Sequence, residues 1–474
     1  MKRIVYFLIG ILLPLASMPG CTDFPDDFGM EASPSVELLR AIPVSESSYK
    51  AQCQFRIDGH LPHVESAYVT LEYGYEDIWS ESVDPSKFAN GDTFIITIPE
   101  ELEFGQTYYV NLFIKRDVCI DRYSCYLNFD KSKFAPHISS MNVEMIAKNK
   151  ISITAFVDKN GEFVPTGNFT WRYKQGSSSL NKLTDISTTI SEAESYYVMK
   201  AEVDLDKAPL LLSSSSYFYH HYVGYNLSNV FGSTSGYYSS SSFSLYSNGS
   251  NYTGDDGTFD DYIQLCGIKW AKGNLQYDNG TWRIAPEQWS TFSYGSVPSE
   301  TQIEHFALGE TGVIVPGSIR YNSSNPVYKK TTNVQGTSAD IVTAHLGTQW
   351  GIPSKAQFNE LSYASKSYVT INGVPGYLYW TPSTTKRYYI SGLSVSPSVL
   401  KDACMLFLPN RGYYDYNYLG KKYQFIDTSF EYLTSNSYGN SNNYHSIYYW
   451  RGESVDSKQE DDLIYMPIRP VKLK

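Results

Sequence analysis

The chain has 474 residues and a formal net charge of −11, with 38 basic residues against 49 acidic ones. It carries no Lys/Arg-rich stripe, which argues against nucleic acid as a partner. Aromatic residues make up 15% and charged residues 18%, the opposite of a disordered composition, so most of the chain is expected to fold, into about three domains by length.

Met1–Gly20 reads as an export signal. Lys2 and Arg3 supply a positive start, and Ile4–Leu15 form an apolar run too short for an ordinary membrane span. Gly20-Cys21 resembles the end of a bacterial lipobox, which implies that Cys21 becomes a lipidated N-terminus and the membrane anchor. Residues 21–33, with the acidic run Asp23-Phe24-Pro25-Asp26-Asp27, are expected to be a tether; the run is similar to the export tag of surface lipoproteins.

Alternating strands follow. Ala51, Cys53, Phe55 and Ile57 share one face of a strand, and Val69, Leu71 and Tyr73 share one face of the next. Short strands at this spacing predict a β-sandwich over residues 34–133. FGQTYYVNLF resembles the start of strand F in fibronectin type III and immunoglobulin-like domains, which implies that Tyr108 or Tyr109 closes a corner through its hydroxyl. The same order of strands recurs over residues 134–246, with Trp171 as a buried aromatic, and predicts a second sandwich. One larger sandwich is the alternative. His220 and His221 are adjacent in a strand and point to opposite faces, so they are not expected to chelate one metal ion.

Ser247–Thr258, rich in Ser, Gly, Asn and Asp, reads as a linker. Asp255, Asp256, Asp260 and Asp261 lack the residue order of a calcium loop. Five cysteines remain beyond Cys21, an odd number. Cys119 and Cys125 are read as flanking a hairpin turn and able to bridge; Cys266 and Cys404 share the last domain and are a second candidate pair. No metal site and no cofactor are expected.

The last domain, 259–474, mixes short strands with brief helices. TSADIVTAHLG predicts one helix with Ser338 as N-cap and Gly347 at its end. WGIPSKAQFNEL (Trp350–Leu361) predicts another, with Ser354 as cap, Gln357 three residues on, and Phe358 and Leu361 on one face. Together with Lys269-Trp270-Ala271, Gly273–Tyr277, Thr281-Trp282-Arg283, Val369–Gly376, Leu406–Tyr413 and Arg469-Pro470-Val471, this helix resembles the FISUMP-type (major paralogous) domains of Gram-negative surface lipoproteins. The resemblance implies a C-type-lectin-like α+β fold after the two sandwiches, within a mainly β chain. The sugar-binding triplets of calcium-dependent lectins are absent, and no nucleophile, zinc or phosphate-loop motif occurs, so no catalytic residue is assigned.

The expected function is display of a lectin-like domain on the outer membrane for adhesion, with a glycan or a surface protein as ligand. Contact is expected from Tyr432, Tyr438, Tyr444, Tyr448, Tyr449 and Trp450, since such side chains give contact area at little entropic cost. A structural or tip subunit of a surface fibre is the alternative, and a hydrolase a more distant one.

Overall fold

The computed structural model describes residues 34–57, 61, 63–89, 93–117, 119–159, 163–237, 244–254, 256–293, 299–316, 332–402, 404–416, 422–424, 430–439, 445–460 and 464–474. The export signal, Cys21, the tether, Asp255 and Tyr444 lie outside the described residues. The fold is mainly β. It divides into two compact units, one ending at Lys133 and the other running from Phe134 to Lys474. No helix among the described residues is long and apolar enough to cross a membrane.

The first unit contains β1 (Ser35–Pro43), β2 (Ser48–Arg56), β3 (Val64–Tyr73), β4 (Glu76–Val83), a single helical turn α1 (Ser86–Ala89), β5 (Phe94–Thr97), β6 (Leu102–Glu103), β7 (Thr107–Arg116) and β8 (Cys119–Asn128). One sheet joins β1, β2 and β5, with β6 on β2; the other runs β4-β3-β7-β8. The period-2 pattern explains the core between them, because Ala51, Cys53 and Phe55 on β2 and Val69 and Leu71 on β3 are all fully buried. Tyr73 ends its strand half-exposed, its ring centroid 5.0 Å from that of Tyr108. Of the two corner candidates, Tyr108 turns inward and its hydroxyl accepts the Glu103 N–H at 3.0 Å, while Tyr109 faces solvent.

Cys119 and Cys125 do not flank a turn. Both lie on β8, paired with Arg116 and Val110 of β7. Six strand steps separate them by about 20 Å, far beyond the reach of a disulfide. Cys119–Asn128 is one continuous strand, and the turn residue Asp117, at φ 48, comes before it. All five described cysteines are free thiols, including Cys266 and Cys404. The Cys404 thiol donates to the Gln264 carbonyl at 3.0 Å, and burial pushes it up to about 11.

The second unit begins with β9 (Ile138–Ala147), β10 (Lys150–Asp158), β11 (Thr166–Gln175), β12 (Asn181–Ile186), β13 (Thr189–Glu192), β14 (Tyr196–Asp204), β15 (Tyr219–Asn229), β16 (Gly232–Tyr237) and β17 (Ser244–Gly249). Strands β13-β14-β10-β9 form one layer, and Ser394–Val395 adds to β9 in parallel. The other layer runs β12-β11-β15-β17 and continues through Lys386–Ser391, Ser365–Ile371, Val374–Trp380 and Met405–Pro409. Trp171 is buried in the shared core with Leu245, Val369, Leu378, Trp380 and Phe407.

This continuity corrects the boundary drawn at 246–259. Ser247, Asn248 and Gly249 are strand residues, paired with Tyr388, Arg387 and Lys386. The physical reason lies in the side chains. Ser247 is buried but satisfies its hydroxyl on the Leu211 carbonyl at 2.9 Å, so a polar composition conceals a strand that sits inside a sheet.

Two short helices anchor the C-terminal part. In α2 (Ile341–Leu346) the N-cap is Asp340, whose Oδ1 accepts the Val342 and Thr343 N–H groups, so the cap falls two residues after the expected Ser338. The other carboxylate oxygen accepts from Gly336 and Ile352; burial still holds the Asp340 carboxyl above its ordinary value. Helix α3 (Lys355–Glu360) has the full capping box, with the Gln357 N–H on Ser354 Oγ at 3.3 Å and the Ser354 N–H on Gln357 Oε1 at 2.8 Å. Phe358 and Leu361 are completely buried. Val471 pairs with both Trp270 and Gly351, so three of the sequence markers lie side by side in one sheet.

Candidate functional site

Of the six aromatic residues expected to make contact, Tyr444 lies outside the described residues, and the other five do not form one surface. Tyr432 and Trp450 are fully buried and pack around Phe358, with ring centroids 6.4 and 5.8 Å away. The Tyr432 hydroxyl donates to the Pro409 carbonyl at 3.0 Å and accepts from Asn274 at 3.1 Å. Tyr449 is buried, Tyr448 is half-buried beneath Lys355 with Nζ 4.1 Å from its ring, and Tyr438 is exposed. In the strand pair Tyr432–Gly439 and His445–Trp450 the register shifts between Leu433 and Ser437, and the neighbours Tyr449 and Trp450 are both buried, so simple strand alternation does not tell from the sequence which rings turn inward.

Several buried charged groups near these strands serve the framework. Glu304 and His305 are fully buried. Glu304 accepts from Arg411 Nε at 2.6 Å, and the His305 ring nitrogen Nε2 lies 2.8 Å from the Arg411 carbonyl. Arg469, also fully buried, donates to the carbonyls of Phe407, Ala271 and Gln288 at 2.8–3.3 Å.

A more open polar site lies where β17 leaves the sheet. The Ser250 N–H donates to the Thr385 carbonyl at 3.0 Å, so the chain after β17 stays beside the segment that leads into Lys386–Ser391. Tyr252 follows, half-buried, with its hydroxyl donating to Asp256 Oδ1 at 2.6 Å. Asp256 also accepts from the Thr381 hydroxyl. Burial first, and then the Asp256 carboxylate, raise the Tyr252 hydroxyl far above its usual range, so it stays a donor.

Tyr252 stands between two clefts. The first, of about 490 Å³, is lined by Ser250, Asn251, Tyr252, Tyr363 and Arg387. Asn251 and Tyr363 are exposed. Arg387 uses Nη1 on the Ser362 carbonyl and stacks its guanidinium over Tyr389 at 5.2 Å. Its buried Nε makes no hydrogen bond among the described residues, so the guanidinium that lines the cleft is not fully used by the fold.

The second cleft, of about 720 Å³, is walled by Lys148, Asn149, Asp206, Thr253 and the hydroxyl-rich segment Thr381–Thr385. Asn149 sits at φ 57 in the β9–β10 turn, a left-handed conformation that Asn tolerates. Trp380 Nε1 donates to its Oδ1 at 2.7 Å, and its Nδ2 donates to Asp206 at 3.1 Å. Tyr388 donates to the other Asp206 oxygen at 2.5 Å. These bonds fix Asn149 and Asp206 before any ligand arrives.

Both clefts fall in the usual size range of small-molecule sites. Their lining offers hydroxyls, amides, one carboxylate and cationic donors beside two Tyr rings, which is chemistry suited to a polyhydroxylated ligand. Among the described residues no group of three His, Cys, Asp or Glu could hold a metal ion. His221 has its Nε2 3.0 Å from both the Leu211 N–H and its carbonyl. Sequence reasoning assigned Asn251, Tyr252 and Thr253 to a linker; the signal available was the Tyr amid small polar residues, which a tether does not require. Comparison with protein-family models finds no matching family, and comparison with curated proteins finds no relative.

Proposed function

We propose that the protein is a lipid-anchored surface protein that binds saccharide in the double cleft around Tyr252. The anchor is the lipid on Cys21, and the location is the outer membrane with the folded units facing outwards. In this reading residues 34–133 are a fibronectin type III-like sandwich, and the C-terminal part is a C-type-lectin-like domain of the FISUMP type fused through one sheet to the sandwich before it. The Ser354–Gln357 capping box and the adjacency of Trp270, Gly351 and Val471 support the lectin-like reading.

The observation that carries the binding function is the fixed polar lining beside Tyr252 and Tyr363. Sugar hydroxyls exchange water for preset partners such as Asn149 and Asp206, while an apolar ring face packs on Tyr. The aromatic set around Tyr432 and Trp450 supports the fold beneath this site. The fibre-subunit alternative needs an open strand edge, and the edge strand β12 carries the Lys182–Asp185 ion pair at 2.7 Å, a feature that discourages strand addition.

A glycan array probed with the protein, read for both retention and released product, tests the proposal. Retention without product release, weakened by Tyr363→Ala and Asn251→Ala, is the expected result. Absence of retention on neutral and acidic glycans alike would overturn it, and product release would move the protein to the hydrolases.

A further inference from the structure

The end of the sheet β4-β3-β7-β8 in the first unit carries a third cleft. It has a volume of about 760 Å³ and is lined by Glu72, Tyr73, Tyr75, Gln106, Tyr109 and Arg122. Tyr75 is 97% exposed, and it occupies the second position of the two-residue turn Gly74-Tyr75 between β3 and β4. Its φ is 73. Hairpin turns with positive φ favour Gly or Asn there, and a bulky residue in that conformation is strained. Tyr75 thus has an unfavourable backbone and almost no burial in return. Neither the turn nor the core accounts for a tyrosine here.

Its neighbours complete a recognition surface. Tyr109 is 44% exposed and stands in register between Glu72 and Tyr126. The Tyr73 hydroxyl donates to Gln106 Oε1 at 3.3 Å, which leaves the amide NH₂ of this lining residue as a donor. Glu72 receives Arg122 at 2.9 Å and Asn111 at 3.2 Å, both on Oε2, and Oε1 makes no hydrogen bond among the described residues. Flat aromatic faces stand beside one open acceptor and several donors. A pyranose presents the complementary pattern, with a C–H face for stacking and hydroxyls around its rim.

We propose that the Tyr75–Tyr109 face is a second saccharide site, built to stack a neutral hexopyranose chain, with Glu72, Gln106 and Arg122 reading its hydroxyls. The site lies wholly within the first unit and does not depend on the clefts around Tyr252.

The test uses the full chain in calorimetric titrations with cellohexaose, laminarihexaose and mannohexaose, and with a proline-rich peptide as a rival aromatic-groove ligand. The proposal expects at least one hexasaccharide to bind, with Tyr75→Gly and Tyr109→Ala each weakening it about tenfold and Tyr75→Trp retaining it. Tyr75→Gly is also expected to raise the melting temperature of the first unit, because Gly relieves the positive φ; a purely structural Tyr75 would lower it. Tyr363→Ala should leave this binding unchanged, which separates the site from the one in the second unit. Binding of the peptide alone, wild-type affinity in Tyr75→Gly, or no binding of any hexasaccharide would overturn the proposal.

Discussion

Leu245 and Ile390 face each other across an antiparallel strand pair, both buried, although 145 positions separate them in sequence. This pairing joins the strands β12, β11, β15 and β17 to the C-terminal part in one sheet. The apolar side of Val369, Leu378, Trp380 and Phe407 packs against residues of β9–β17, so a fragment starting at residue 259 leaves that side exposed. Such a fragment is expected to aggregate, whereas residues 134–474 should unfold in one urea transition. Leu245→Ala should cost about 2–5 kcal/mol in that transition. A soluble, cooperatively folded 259–474 fragment would show the sheet to be dispensable.

The α3 cap makes a smaller, local contribution. Ser354→Ala removes the acceptor of the Gln357 N–H and should destabilise by about 1 kcal/mol. Ser354→Asp, which restores an acceptor at the helix N-terminus, should recover most of it. Thermal melts of the three proteins give the comparison, and equal stability of all three would remove the cap from the account.

Glu304 and Arg411 form a buried pair, with side chains 0% and 6% exposed. Removing one charge strands the other in a dry interior, so Arg411→Met should cost about 3–5 kcal/mol. Replacing both, as Glu304→Leu with Arg411→Met, should be much less damaging than the sum of the singles. A double-mutant cycle measures the coupling, and additive losses would mean the two side chains do not act as a pair.

Burial, with the Arg411 charge behind it, holds the His305 imidazole down to about 3, against an ordinary value of 6.5. Burial also lowers His221. His305 therefore stays neutral in the folded chain while the unfolded chain takes up a proton there below pH 6.5. The contribution of His305 is flat above that pH and falls as pH drops from 6.5 towards 3, by up to about 1.4 kcal/mol per pH unit, and His221 adds in the same direction. Urea midpoints between pH 7.5 and 4.5 should decline, and the decline should shrink in His305→Gln. A pH-independent midpoint in the wild type would contradict the assignment.

Where one face of a strand is apolar, as at Ala51, Cys53 and Phe55, periodicity alone identifies the strand and its buried side. The α3 helix was equally legible, because its cap and its buried face are encoded within eight residues. Ser244–Gly249 was not, since the buried Ser247 is tolerated only because the distant Leu211 carbonyl satisfies it, and that partner is invisible in sequence. The aromatics from Tyr432 to Trp450 show the same limit from the other side: both Tyr449 and Trp450 are buried, and the strand pair shifts register between Leu433 and Ser437, so packing from distant elements such as Phe358 decides which rings are covered. The Tyr252 clefts depend on Asn149, Asp206 and Tyr388, which come from three separate parts of the chain.

The most direct test of the central claim is a titration of the full chain with the best oligosaccharide retained on the array, repeated with Tyr363→Ala, Asn251→Ala and Tyr438→Ala. The account predicts that Tyr363→Ala and Asn251→Ala each raise Kd about tenfold with unchanged melting temperature, while Tyr438→Ala binds as the wild type does. Loss of binding in Tyr438→Ala alone, with the two cleft variants unaffected, would contradict it.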